Sequence, residues 1–331
     1  MRRWLLYGLI ILFSVIWSSG FIAGKVAITE LDPLEVLALR FLLSVALLLP
    51  FCVRQAGHLR NQQSMRAGIQ LGVLNNALYL GLTFSPLRFI RPQLVVIVVS
   101  TAPFLTTILA AMRSLERINI PKVVGIAMGF GGVLVITGVG SLTASDITGL
   151  ALALTGTAAF SIATVYFRGK AAGLSVLQLN FWQSVAGAVA LIPVAVLLGR
   201  KPSFPSLPTA IAILYLSVVV TIGGMVLWLF LIRKSGAASA SAYHLLNPLF
   251  GVLLSHFILK TPIRQQDLVG AAAIAAGLLI AISARNGGNN DPSPRVEKRI
   301  PEGAHAEHLA RHRPIPEHTK ANWHRSNQGS A

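Results

Sequence analysis

The chain has 331 residues, 54% of them hydrophobic and only 12% charged, with 28 Lys and Arg against 11 Asp and Glu for a formal net charge of +17. A soluble domain carries roughly 25% charged residues, so this chain has about half the charge a water-facing exterior needs, and lipid has to cover much of it. The single cysteine, Cys52, excludes an internal disulfide framework and a cysteine-based zinc cluster.

Apolar stretches run over residues 5–24, 36–53, 67–86, 92–112, 123–140, 148–167, 175–198, 208–231, 236–259 and 267–284. Each is about long enough to cross a hydrocarbon core ~30 Å thick at a rise of ~1.5 Å per residue, and a backbone in lipid must satisfy its own hydrogen bonds. The expectation is an all-α membrane protein of ten transmembrane helices. The first stretch follows Met1, Arg2 and Arg3 as a signal peptide would. Its length, Trp17, Lys25 and the nine spans downstream favour a retained helix. The pairs Gly20/Gly24 and Gly125/Gly129 read as small-residue packing faces, because neither has the strand-turn-helix context of a nucleotide loop.

Basic residues in the short loops set the expected orientation. With the N-terminus inside, the inner segments carry Arg2, Arg3, Arg54, Arg60, Arg66, Arg113, Arg117, Lys122, Arg168, Lys170, Arg233 and Lys234. The outer loops carry Lys25, Arg88, Arg91, Arg200, Lys201, Lys260 and Arg264, a smaller set. Ten spans then return the C-terminus to the inside.

The two halves echo each other. Leu31 to Pro50 aligns with Leu174 to Pro193 at an offset of 143 residues, which sets Arg40 opposite Gln183. Ala102-Pro103-Phe104 aligns with Asn247-Pro248-Leu249 at an offset of 145, and Gly125 and Gly132 then fall on Gly270 and Gly277. Five spans per unit is odd, so the second copy enters the membrane from the opposite side, as in an inverted repeat built around a central site. The expected domains are residues 1–142 and 143–285, one five-helix unit each, and a tail over 286–331.

The residues resemble the drug/metabolite transporter superfamily, in particular permeases with two EamA-type repeats. The likeness covers approximately residues 5–284. It rests on Trp17-Ser18-Ser19-Gly20-Phe21-Ile22-Ala23-Gly24-Lys25, Leu39-Arg40-Phe41, Thr101-Ala102-Pro103-Phe104, Leu115-Glu116-Arg117 with Gly125 and Gly132, and Asn247-Pro248-Leu249-Phe250 with Gly270 and Gly277. The resemblance implies a ten-helix permease of the bacterial cytoplasmic (inner) membrane, both termini cytoplasmic, that moves small organic solutes, often outward. One departure is that Glu116 of the first half is matched by Thr261 in the second, which removes a symmetric carboxylate.

Arg40 lies within the second span, where a guanidinium costs roughly 2.5 to 3.5 kcal/mol to insert unless it meets protein, water or an anion. It reads as a solute or gate contact, or as an anchor near the outer interface. Lys25 reads as a rim or gate residue that can snorkel outward. Asn75 and Asn76 form a polar step in the third span, and the spacing of Asn76 and Tyr79 places them on one helical face. Asn180, Trp182 and Gln183 on the seventh span, Trp17 on the first, and His244 and Asn247 on the ninth complete the substrate-path candidates. Each has helix packing as its alternative. Pro103 and Pro248 are paired hinge candidates, since proline removes a backbone donor and disturbs the preceding turn.

No Asp or Glu lies deep in a span, so a carboxylate proton relay is lacking. The tail reads as disordered, and its His305, His308, His312, His318 and His324 form no compact metal motif. The expectation is a non-enzymatic secondary transporter for a small polar or amphipathic metabolite, an amino-acid-like compound among them, exported by alternating access. It has no cofactor, no metal and no nucleic-acid partner. Membrane lipid and the metabolite are its partners, a homodimer is compatible with the sequence, and no coupling ion is indicated. The competing readings are a membrane-embedded enzyme acting on lipid, which lacks a nucleophile, acid and base set, and a sensor recruiting a partner through its tail.

Overall fold

The computed structural model describes residues 3–54, 61–90, 92–138, 143–198, 205–260 and 262–287. Arg2, Arg60, Arg91, Arg200, Lys201 and Thr261 lie outside the described residues, as does the tail from residue 288 onward with its five histidines.

Every element among the described residues is helical. In chain order they are α1 (Arg3–Ala27), α2 (Pro33–Arg54), α3 (62–84), α4 (92–112), α5 (Ile120–Thr137), α6 (Ala144–Ala171), α7 (Val176–Leu198), α8 (Leu207–Ser235), α9 (237–259) and α10 (Gln265–Gly287). Among the described residues, nine helices are long and apolar enough to cross a membrane. The tenth, α3, has its apolar run interrupted by Gln70, which is exposed, and by Asn75 and Asn76, which face α7. The pattern of exposure suits lipid. Leu42, Ile108, Val189, Val196, Leu197 and Leu268 point outward, while Ser14, Ser44, Thr157, Ser161, Asn180 and Gln183 are buried, the reverse of a water-soluble surface.

In lipid, apolar surface gains nothing by leaving its surroundings, so helices associate through close packing and internal hydrogen bonds. The glycines of α5 and α10 serve this. A methyl group on Gly125 would lie 2.5 Å from the carbonyl oxygen of Gly277, and one on Gly132 would lie 2.5 Å from that of Gly270. Gly125 is the repeat equivalent of Gly270, and Gly132 of Gly277. The two contacts are therefore one contact seen from either half, which places the pseudo-two-fold axis between α5 and α10.

Four further features recur at the same offsets. The starts of α3 and α8 are flanked by Asn61 and Ser206, which hold their N-cap positions. Both helices then widen into a π-helical stretch, Val73–Leu80 in α3 and Leu216–Gly224 in α8. At their far ends, Arg88 pairs with Asp32 at the start of α2, and Arg233 donates to the Leu174 carbonyl just before α7. Finally α4 and α9 are both interrupted ahead of their prolines, α4 at Ser100 and Thr101 and α9 by the 3-10 turn Tyr243–Leu246. The chain is an inverted repeat of two five-helix units. The ordinary helical spacing expected over 67–86 and 208–231 is corrected to a mixture of α and π turns.

Loop contacts fix which helix ends share a side. Glu30, after α1, accepts from Ser206, before α8, and Asp32 pairs with Arg88, so these loops lie together. Glu116, after α4, accepts from the backbone N–H of Ala237 and Ala238, and Arg168 donates to the Arg233 carbonyl, so these lie together at the opposite end.

Candidate functional site

Arg40 is buried on α2, about two turns below its start. Its Nε–H donates to Thr221 Oγ1 in the π stretch of α8, and its guanidinium carbon stands 5.6 Å from the Phe41 ring centroid. The π geometry makes the contact. Thr221 Oγ1 also donates to the Leu216 carbonyl five residues back, and Asn180 Nδ2 of α7 donates to the carbonyls of both Thr221 and Ile222 at 3.1 Å. Ser44 and Ser217 hydroxyls converge on the Arg40 carbonyl at 2.8 and 3.0 Å. Glu35, five residues before Arg40 on the same helix, does not reach it. Its carboxylate accepts the Asp32 N–H at the head of α2.

Across the pseudo-axis, Gln183 on α7 meets the π stretch of α3. Asn75 Nδ2 donates to Gln183 Oε1 at 3.3 Å, and Asn76 Nδ2 to the Gln183 carbonyl at 2.8 Å. Arg40 and Gln183, opposite each other in the repeat, thus each engage the π stretch of the other half. Asn76 and Tyr79 do not work as one face. The wide turn sends Asn76 to α7, whereas the Tyr79 ring lies 4.8 Å from Phe160 on α6 and within electrostatic reach of the Arg40 guanidinium. Trp182 is half-buried and packs over Gly68 of α3 and against Phe181. Asn75 Oδ1, Gln183 Nε2 and Trp182 Nε1 are buried without a hydrogen-bond partner among the described residues.

His244 occupies the 3-10 turn of α9, enclosed by four rings from three helices. Phe13 and Trp17 of α1 stand 5.1 and 5.0 Å away, Phe160 of α6 5.2 Å, and Trp228 of α8 4.7 Å, each edge-to-face. The Asn247 side-chain amide and His244 Nδ1 stand 2.9 Å apart in a hydrogen bond whose direction is set by the imidazole tautomer. His244 Nε2 and Asn247 Oδ1 have no hydrogen-bond partner among the described residues, and the Asn247 carbonyl accepts from Ser18 of α1. Tyr79, Phe160, His244 and Asn247 are therefore joined in one buried polar and aromatic cluster, with the Arg40 guanidinium within electrostatic reach of Tyr79.

The remaining candidates lie outside this cluster. Lys25 is exposed near the end of α1. Pro103 is buried in the first turn of the second half of α4, and Pro248 is half-buried at the equivalent place in α9. Glu116 bridges α4 to the start of α9 and also accepts from Lys122 Nζ at 2.9 Å. At the opposite end the Ser206 hydroxyl and N–H both donate to Glu30, and these bonds hold its carboxyl below the ordinary range.

Reading the residues alone missed Thr221, Phe13, Phe160 and Trp228. Phe160 had a signal, because at an offset of 143 it is the repeat equivalent of Trp17, and both rings face His244. Thr221 had none, since its alignment with Arg40 depends on the π turn.

Comparison with known proteins follows the same architecture. The model of the EamA-like transporter family matches twice, over residues 4–138 and 147–283. An uncharacterized transporter of Archaeoglobus fulgidus is 26% identical over 296 residues, spanning 86% of this chain and all of the relative. YyaM of Bacillus subtilis, also an uncharacterized transporter, is 26% identical over 85% of this chain and 94% of its own length. YedA of Escherichia coli, an uncharacterized inner membrane transporter, is 26% identical over 75% of this chain and 81% of its own. A protein solved by crystallography shares the fold with a TM-score of 0.73 at 18% identity, over 86% of this chain and 99% of that one.

Proposed function

The chain belongs to the EamA-like transporter family and is a multi-pass membrane transporter, and from that premise we infer that it is a secondary transporter of a small polar or amphipathic metabolite, working outward by alternating access. The observation that supports this best is the buried polar and aromatic cluster from Arg40 to Asn247, set within two inverted halves whose loops are tied at both ends by repeat-related contacts. A solute entering between the halves meets Arg40 and Tyr79 at one level, and His244 and Asn247 within the aromatic rings at another. Asn75 and Gln183 offer an acceptor and a donor beside the path, with Trp17 and Trp182 as ring surfaces. Asn180 acts by holding the α8 carbonyls in place.

The two units are residues 1–142 and 143–285, and they rock about the interrupted segments at Pro103 and Pro248. Lys25 stands at the rim. Both termini face the cytoplasm across the inner membrane, with the Glu30 and Arg88 loops outside and the Glu116 and Arg233 loops inside, in line with the distribution of basic residues. No covalent step is involved. Purified full-length protein in sealed liposomes, screened against a broad metabolite panel, is expected to give saturable flux of at least one solute. Intact, correctly inserted protein that moves none of them in either direction would overturn this function.

A further inference from the structure

We propose that Arg40 is the recognition point for an organic monoanion, a small amphipathic monocarboxylate, whose charge cancels that of the guanidinium. This deepens the function proposed above and rests on it. Six carboxylates lie among the described residues, and each is committed at a helix end. Glu30 holds Ser206, Asp32 pairs with Arg88, and Glu35 accepts the Asp32 N–H. Glu116 pairs with Lys122, Asp146 accepts from Thr143, and Asp267 accepts the Arg264 N–H. None reaches Arg40, which is 7% exposed with only its Nε bonded among the described hydrogen bonds.

A guanidinium held in a low-dielectric interior without a counter-charge is costly, and the planar fork of its terminal nitrogens matches a carboxylate. Thr221 and Phe41 fix the guanidinium from two sides, so the fork is positioned before the solute arrives. The Tyr79 ring, within electrostatic reach of Arg40, packs on Phe160, which meets the His244 ring, and these rings offer a surface for the apolar part of the solute. A guanidinium that no carboxylate among the described residues reaches selects a monoanion over a zwitterion, whose ammonium group would leave the site as positive as before.

A charge consequence follows. The loaded site is neutral and the empty site carries one positive charge. Because moving an uncompensated charge through a low-dielectric interior is disfavoured, the loaded protein changes its access more readily than the empty one. Carboxylate waiting on the far side of the membrane should therefore accelerate entry.

The test uses the full chain, purified in detergent and in sealed liposomes, with a panel of aliphatic and aromatic monocarboxylates, each paired with its carboxamide, and with zwitterionic amino acids. At least one acid is expected to raise the thermal midpoint while its amide does not, binding about tenfold or more tightly, the worth of a charged hydrogen-bonded contact. Its labelled uptake should be faster into liposomes preloaded with the unlabelled acid. Arg40→Gln should lose both effects while remaining monodisperse, and Arg40→Lys should retain part of them. If Arg40→Gln does not fold, the acid-amide comparison on the unaltered chain decides. The inference is overturned by amides or amino acids binding as well as the acids, by no acid binding, or by a folded Arg40→Gln that behaves like the unaltered chain. Saturable flux of solutes other than carboxylates would overturn it and leave transport standing. Selective acid binding without flux of any solute would do the opposite.

Discussion

Gly125 and Gly277 pack backbone to backbone across the pseudo-axis, and the interface has no room for a side-chain carbon on either partner. Substituting Gly125 or Gly277 by Ala is expected to cost about 1–3 kcal/mol, the usual penalty for overpacking a tight contact. Gly131 on the same helix has nothing within 4 Å of an added methyl group, so Gly131→Ala should be neutral. Thermal unfolding of the purified variants in one detergent compares them. Equal midpoints for all three would show that α5 and α10 do not meet through these glycines.

Asn180 answers two carbonyls that the π stretch of α8 turns sideways. Asn180→Leu keeps the volume and removes both donors, and should destabilise by about 1–3 kcal/mol, the cost of leaving buried polar groups unpaired. Because the same stretch presents Thr221 to Arg40, solute affinity should weaken along with stability. A variant that loses stability and keeps affinity would separate Asn180 from the site.

Glu116 ties the loop after α4 to the first N–H groups of α9 and to the nearly buried Lys122. Glu116→Gln keeps an acceptor for the N–H groups and loses the ion pair, so it should be milder than Glu116→Ala. Lys122→Met added to Glu116→Ala should recover part of the loss by removing the stranded ammonium. The midpoints of the two single variants and the double variant give the coupling, which is expected to be at least about 0.5 kcal/mol for residues in direct contact.

The Glu30 and Ser206 contact carries a pH dependence with a definite sign. The bonds from Ser206 lower the Glu30 carboxyl in the folded chain, so the contact is fully present above the ordinary carboxylate range and is lost as pH falls through the lowered value. Hydrogen exchange at the Ser206 amide should be slower in the unaltered chain than in Glu30→Ala at neutral pH, and the difference should vanish in acid. A difference that persisted in acid would mean that something other than the ionised carboxyl protects this amide.

Much of the architecture was legible in the residues because its causes are local or periodic. The balance of apolar and charged residues decides whether water or lipid is the solvent. Stretch lengths set the spans, and the recurrence of Pro103 as Pro248 and of Gly125 as Gly270 exposes the duplication. The sequence also isolated Arg40, because a guanidinium inside an apolar stretch is costly wherever it points. Only the tertiary structure decided its surroundings. A π turn shifts the facing of every residue after it, so Asn76 and Tyr79, which share a face at ordinary helical spacing, part to α7 and α6, while Thr221 rotates into reach of Arg40. The rings around His244 come from α8 next to α9 in the chain, from α6 in the same half and from α1 in the other half. Which helices become neighbours is set by the packing of the whole bundle, and no short stretch of residues encodes it.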